Sequence, residues 1–135
     1  MANSLYMKGI EALMNGQVDL DTDTIKVTLV DTADYTVDLA AHDFINDVPA
    51  GARVATATLA NTTVTGGAFD ADDVTFSAVT GDQSEALVIW QDTGNEATSV
   101  LIYYGDTHTG LPVTPNGGDI SITWSSGASK IFKIG

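Results

Sequence analysis

Cysteine is absent from the 135 residues, which excludes thiol nucleophiles, zinc-thiolate centres and disulfide frameworks. Long hydrophobic runs are missing as well. The longest unbroken apolar stretch is "ALVIW", Ala86 to Trp90, far short of the roughly 20 residues a membrane helix needs, so no membrane partner is expected. Basic residues are scarce: five Lys and Arg stand against 18 Asp and Glu, for a net charge of −13. A field of that sign repels phosphate backbones, and direct nucleic-acid binding is not expected. The opening "MANSLYMKGIEALM" lacks a basic segment followed by a long apolar one and a small-residue cleavage site. It reads as mature protein made in the cytoplasm rather than as an export signal.

Catalytic signatures are equally thin. His42 and His108 are isolated in acidic loops, outside HExxH, HxH or any other metal-ligand spacing, and both read as surface histidines. "GDQSEA" and "SSGAS" do not form the GxSxG elbow. "GGAFDADD" and "NGGD" offer paired glycines without GxGxxG or GK[ST], and neither precedes a helix that could hold phosphate, so both read as turns. No enzyme, no cofactor and no metal are expected.

A chain of this length buries roughly two thirds of its unfolded surface in a single domain and stands without disulfides or metal. One stretch reads as a helix. In "NSLYMKGIEALMNG", Tyr6, Ile10, Leu13 and Met14 share a face, Asn3 or Ser4 can cap the start, and Gly16 supplies a left-handed stop, placing the helix within residues 1–16.

Residues 24–135 read as strands and loops. "TIKVTLVD" alternates Ile25, Val27 and Leu29 with Lys26 and Thr28, the pattern of a strand with one face buried. "ARVATATLA" and "NTTVT" continue in that style. "EALVIWQD" and "SVLIYYGD" read as a core hairpin through "TGNEAT", and "DISITWS" is expected to pair with "SKIFKI" through "SGA". "VDLAAHDFINDVPAG" reads as a long loop with room for one helical turn. The fold expected is mainly β: a single β-sandwich or jelly-roll-like domain of about seven or eight strands, with one N-terminal α-helix over an open edge or one end.

Two acidic clusters invite a calcium reading. In "DLDTDT", counting from Asp19, an EF-hand requires glycine at position 6 and glutamate at position 12, where this chain has Thr24 and Val30. The cluster is better read as a polar turn in which Asp side chains bond nearby amides. "FDADDVTF", with Asp70, Asp72 and Asp73, has no downstream acid at coordinating distance. The acid is also uneven along the chain. Eight aspartates lie between Asp19 and Asp47 against Lys26 alone, whereas "SKIFKIG" carries Lys130 and Lys133 and no acid. That asymmetry suits docking of a basic tail on an acidic partner or sister subunit, beside the plainer reading of solubility. Trp90 and Trp124 fall in apolar phase and read as core anchors rather than sugar platforms. Tyr103 and Tyr104 point to opposite faces, so one at most could join such a platform.

The order of "SLYMKGIEALMNGQVDLDTDTIKVTLVDTADYT", "GGAFDADDVTFSAVTGDQSEALVIWQDTG", "LIYYGDT" and "NGGDISITW" resembles a family of small virion proteins of tailed bacteriophages, over nearly the whole chain. The resemblance implies a non-enzymatic capsid decoration, or cement, protein. Such a protein sits on the outer capsid surface, after a stage in the host cytoplasm during assembly, and its partner is the major capsid protein. It also implies a homo-oligomer, with a trimer favoured. Because free ends can reach neighbours, the contact residues expected are Ala2, Asn3, Leu5 and Tyr6 of the N-terminal arm and Lys130, Phe132 and Lys133 of the C-terminal end. The alternative is a tail-fibre, head-fibre or baseplate module that binds host or carbohydrate.

Overall fold

The computed structural model describes residues 3–134. Ten strands and one α-helix are found among them: β1 Ser4–Leu5, α1 Met7–Met14, β2 Ile25–Val30, β3 Arg53–Thr58, β4 Thr63–Thr65, β5 Ala68–Asp70, β6 Val74–Phe76, β7 Ala86–Gln91, β8 Leu101–Gly105, β9 Ile120–Ile122 and β10 Phe132–Lys133. All strand pairs are antiparallel. They form a five-stranded sheet in the order β1-β8-β7-β2-β3, a three-stranded sheet β10-β5-β4 and the pair β6-β9. The mainly β class is as expected; the strands outnumber seven or eight because several are only two or three residues long.

The five-stranded sheet is buried on both faces. On one face Ile25, Val27, Leu29, Leu87 and Ile89 join a cluster with Phe69, Val74, Phe76, Ile122 and Phe132 from the two smaller sheets. On the other, Val30, Ala86, Val88, Trp90 and Tyr104 pack with Tyr35, Ile45, Val48 and Ala52. This second cover holds no strand, only two 3₁₀ turns, Ile45–Asp47 and Ala50–Ala52. Each large apolar side chain so buried contributes about 1.5–3 kcal/mol of transfer free energy.

Burial on both faces corrects the one-sided reading of β2. Thr28 is fully buried, its hydroxyl meeting Trp90 Nε1 at 2.9 Å and Thr56 Oγ1 at 2.8 Å. A threonine fits there because a neighbouring indole and a second threonine satisfy its oxygen.

The helix is shorter than 1–16, because Ser4 and Leu5 are extended and pair with Tyr104 and Tyr103 of β8. Its N-cap is Tyr6, with no side-chain cap; Asn3 instead accepts from the amides of Asp106 and Thr107. Gly9 and Ala12 are the buried helix residues, while Met14 is 81% exposed. Small residues face inward because α1 lies directly on β8: a Cβ on Gly9 would stand 2.5 Å from the carbonyl oxygen of Leu101. The stop at Gly16, with φ +73°, is as expected, and Gln17 N bonds Ala12 O beyond it.

The β7–β8 hairpin is as predicted. The second hairpin is not: β9 pairs with β6, and β10 pairs with β5. Long-range bonds displace the local turn. Trp124 N donates to Asp73 Oδ1 and Trp124 Nε1 to Asp72 O, fixing β9 beside β6. Phe132 settles against Phe69, ring centroids 5.2 Å apart. Gly67, at φ +82°, serves both the β4–β5 turn and the chain end, since its carbonyl accepts from Ile134 N where any side chain would collide.

Candidate contact cleft

Residues 3–5 and 129–133 converge on one cavity of about 590 Å³. Asn3, Ser4 and Leu5 line it together with residues 129–133 and with Thr107, His108 and Thr109. Long-range pairing brings the ends together: β1 holds the N-terminal segment to β8, and β10 holds the C-terminal segment to β5. Each of these two-residue strands has one hydrogen-bonded neighbour, so β1 and β10 are both sheet edges.

The wall is built of packed rings. Tyr103 Oη and His108 Nε2 lie 2.8 Å apart, and the His108 ring meets Trp124 edge-on at 5.0 Å. Tyr103 stacks on Phe132 at 5.2 Å. Burial pushes the Tyr103 hydroxyl well above its ordinary range, helped by Asp106, and burial pulls the His108 imidazole below its own against the opposing pull of Asp106. His108 is 8% exposed, which corrects the surface reading. An imidazole is accommodated here because the Tyr103 hydroxyl meets Nε2 in place of water and the Trp124 ring packs against it.

The rim is basic. Lys8, Lys26 and Arg53 pair with Glu11, Asp92 and Glu96. Lys130 and Lys133, at the cleft, make no ion pair among the described residues, and no acidic side chain is among those lining it. Lys130 also holds φ +52°, a left-handed conformation that a side chain disfavours.

Asn3, Leu5, Lys130, Phe132 and Lys133 therefore gather at one place. Tyr6 does not: it is fully buried, its hydroxyl 2.7 Å from that of Tyr35, on the opposite face of the sheet. Ala2 lies outside the described residues. Sequence reasoning missed Thr107, His108 and Ser129; only a long-range pairing of both ends could have grouped them.

The acidic clusters act as local braces. Asp23 Oδ2 accepts from Asp19 N at 2.8 Å and from Gln91 Nε2 at 2.7 Å, as a turn reading requires. Asp72 accepts from Asn61 and Asp73 from Trp124. A third group, unnoticed in the sequence, brings carboxylate oxygens of Asp31, Asp34 and Asp82 within 4.8 Å of one another, with Asp31 capping the Ala33 amide. The four large aromatics weighed for sugar stacking, Trp90, Tyr103, Tyr104 and Trp124, are all buried, and Tyr103 and Tyr104 fall in opposite clusters. No helix among the described residues is long and apolar enough to cross a membrane. Comparison with protein-family models gives no match, and a search of curated proteins finds none.

Proposed function

We propose that this chain is a non-enzymatic structural protein of a tailed-phage virion, a decoration protein that binds the outside of the head shell and steadies contacts between capsid subunits. The observation that carries the reading, beside the sequence resemblance, is the convergence of residues 3–5 and 129–133 on one open-edged cleft lined by two lysines. Such a cleft is an anchoring point. A stable interface needs roughly 1,200–2,000 Å² of buried surface, so the surrounding exposed surface must join it. Ile134, 46% exposed beside Lys133, is an apolar candidate for that surround.

Stabilisation would follow from mass action: a ligand that binds the assembled shell and not free coat subunits favours the shell according to its occupancy. The resemblance further suggests a homo-oligomer, with a trimer as the form to look for by sedimentation. The test is a comparison of virions with and without this protein. Particles lacking it should release DNA at lower temperature, and added protein should restore the midpoint. Identical midpoints would reject the cement role. The tail-fibre or sugar-binding alternative is less well supported, since the rings it would use are buried.

A further inference from the structure

We propose that the cleft between β1 and β10 receives an extended acidic segment of another protein chain, which adds as a short strand at the open edges and pairs its carboxylates with Lys130 and Lys133. This rests on reading the cleft as a contact surface, and it names the chemistry of the partner.

Charge carries the first part. Three of the five basic residues are neutralised by acids of their own chain. The remaining two line the same cavity, three positions apart in sequence, and no acidic side chain of the described residues lines it with them. In a molecule of net charge −13, an acidic ligand is repelled over most of the surface and accepted here, which gives orientation as well as attraction. Lys130 keeps its place in a left-handed conformation that glycine would adopt without strain.

Edge geometry carries the second part. β1 and β10 each pair on one side only, and strand addition at such an edge supplies main-chain hydrogen bonds while alternate side chains reach flanking groups. Thr107, Thr109, Thr123, Ser125 and Ser129 line the same cavity, a polar lining suited to a peptide backbone. A volume of about 590 Å³ falls within the usual range of ligand sites.

The partner is a different chain rather than a second copy. The aspartates between 19 and 47 are concentrated in turns that their own carboxylates brace: Asp23 caps Asp19, Asp38 caps Ala40 and Ala41, and Asp47 caps Asp43. A braced turn is not available as an extended strand.

The probe is a short labelled peptide of alternating glutamate and valine, with a glutamine-for-glutamate version as control, titrated into the full chain by fluorescence anisotropy. The glutamate peptide should bind about tenfold or more tightly than the control, a difference of about 1.4 kcal/mol, and should weaken with added salt. Lys130→Gly combined with Lys133→Ser should reduce its affinity to that of the control. Lys130→Gly alone should leave the thermal midpoint unchanged or raise it, which separates lost binding from lost folding. Amide chemical shifts should move at Ser4–Leu5 and Ser129–Lys133. Equal binding of both peptides, no binding at low salt, indifference to the lysine changes, or shifts confined elsewhere would each overturn the proposal. So would concentration-dependent self-association that the double substitution abolishes, which would make a second copy the occupant. If the peptide binds as described while virion stability ignores the protein, the cleft chemistry stands and the shell reading fails. The reverse pair of results fails the cleft chemistry alone.

Discussion

The two faces of the five-stranded sheet are closed in different ways. One is covered by strands of the smaller sheets and held by rings and branched aliphatics, Phe69, Phe76, Ile122 and Phe132 among them. The other is covered by residues 35–52, which contain no strand, and there polar side chains do the fixing. Tyr6, Tyr35 and His42 form a chain of hydrogen bonds at 2.7 and 2.8 Å. Arg53 reaches back to the carbonyls of Val48 at 3.0 Å and Ile45 at 2.9 Å. This cover joins the sheet through the Phe44–Val100 bridge, and side chains meet more of its backbone: Arg53 of β3 serves the carbonyls, while Asp38 and Asp47 accept from amides within the segment. The cleft lies at the margin of the strand-built face, where β10 completes the cover and leaves its outer edge open.

The largest expected effect is on the strand-built face. Phe69→Ala removes a ring 1% exposed and packed on Phe132, and should cost about 3–5 kcal/mol by chemical denaturation. A loss below about 1 kcal/mol would mean that the smaller sheets are not a tightly packed cover. On the other face, Tyr35→Phe keeps the ring and deletes the hydroxyl that Tyr6 and His42 share. A loss of about 1–3 kcal/mol is expected, because the Tyr6 hydroxyl stays buried without that partner. Arg53→Met should cost about 1–2 kcal/mol, chiefly through the Val48 carbonyl it leaves unmet, since the Ile45 carbonyl keeps the Val48 amide, with little from the exposed Glu96 carboxylate. Hydrogen exchange should then quicken over residues 45–52 and stay unchanged in β5, β6 and β9; uniform quickening would show that the two covers do not open separately.

The smallest effect expected is a pH dependence. Burial holds the His108 imidazole below its ordinary value in the folded chain, so the unfolded chain takes up the proton first. Its contribution is therefore present above about pH 6.5, the ordinary imidazole value, and is lost as pH falls through the folded value. Asp92 and Glu96, held low by hydrogen bonds to Lys26 and Arg53, lose their contributions only in more acid solution, below about pH 4. His108→Asn should thus flatten the stability profile between about pH 7 and pH 5 while leaving the steeper acid limb in place. An unchanged slope would mean that the ring is more hydrated than its contacts with Tyr103 and Trp124 require.

Local patterns made most of the large sheet readable. The alternation of Ile25, Val27 and Leu29, and the run from Ala86 to Gln91, announce strands whose neighbours are close in sequence or strongly apolar. The turns at Gly16, Asp19–Asp23 and Gly66–Gly67 were legible for the same reason. Pairings set at a distance were not. The short loop after Trp124 suggested a hairpin, and nothing local reveals that Asp73 is waiting for the Trp124 amide or Phe69 for Phe132. Gly9 and Ala12 carry too little apolar surface to mark the buried side of α1, although close approach to β8 requires residues that small. The cleft was half visible: the ends were singled out as contact segments, and their common site follows from β1 and β10 joining different sheets.

The most direct measurement is hydrogen exchange on this chain, free and mixed with intact heads of the phage proposed to carry it. If the ends form the anchor, amides at Ser4–Leu5 and Ser129–Lys133 should slow on binding while residues 35–52 remain as in the free protein. Protection over 35–52 with none at the cleft, or no protection anywhere at saturating heads, would contradict the account.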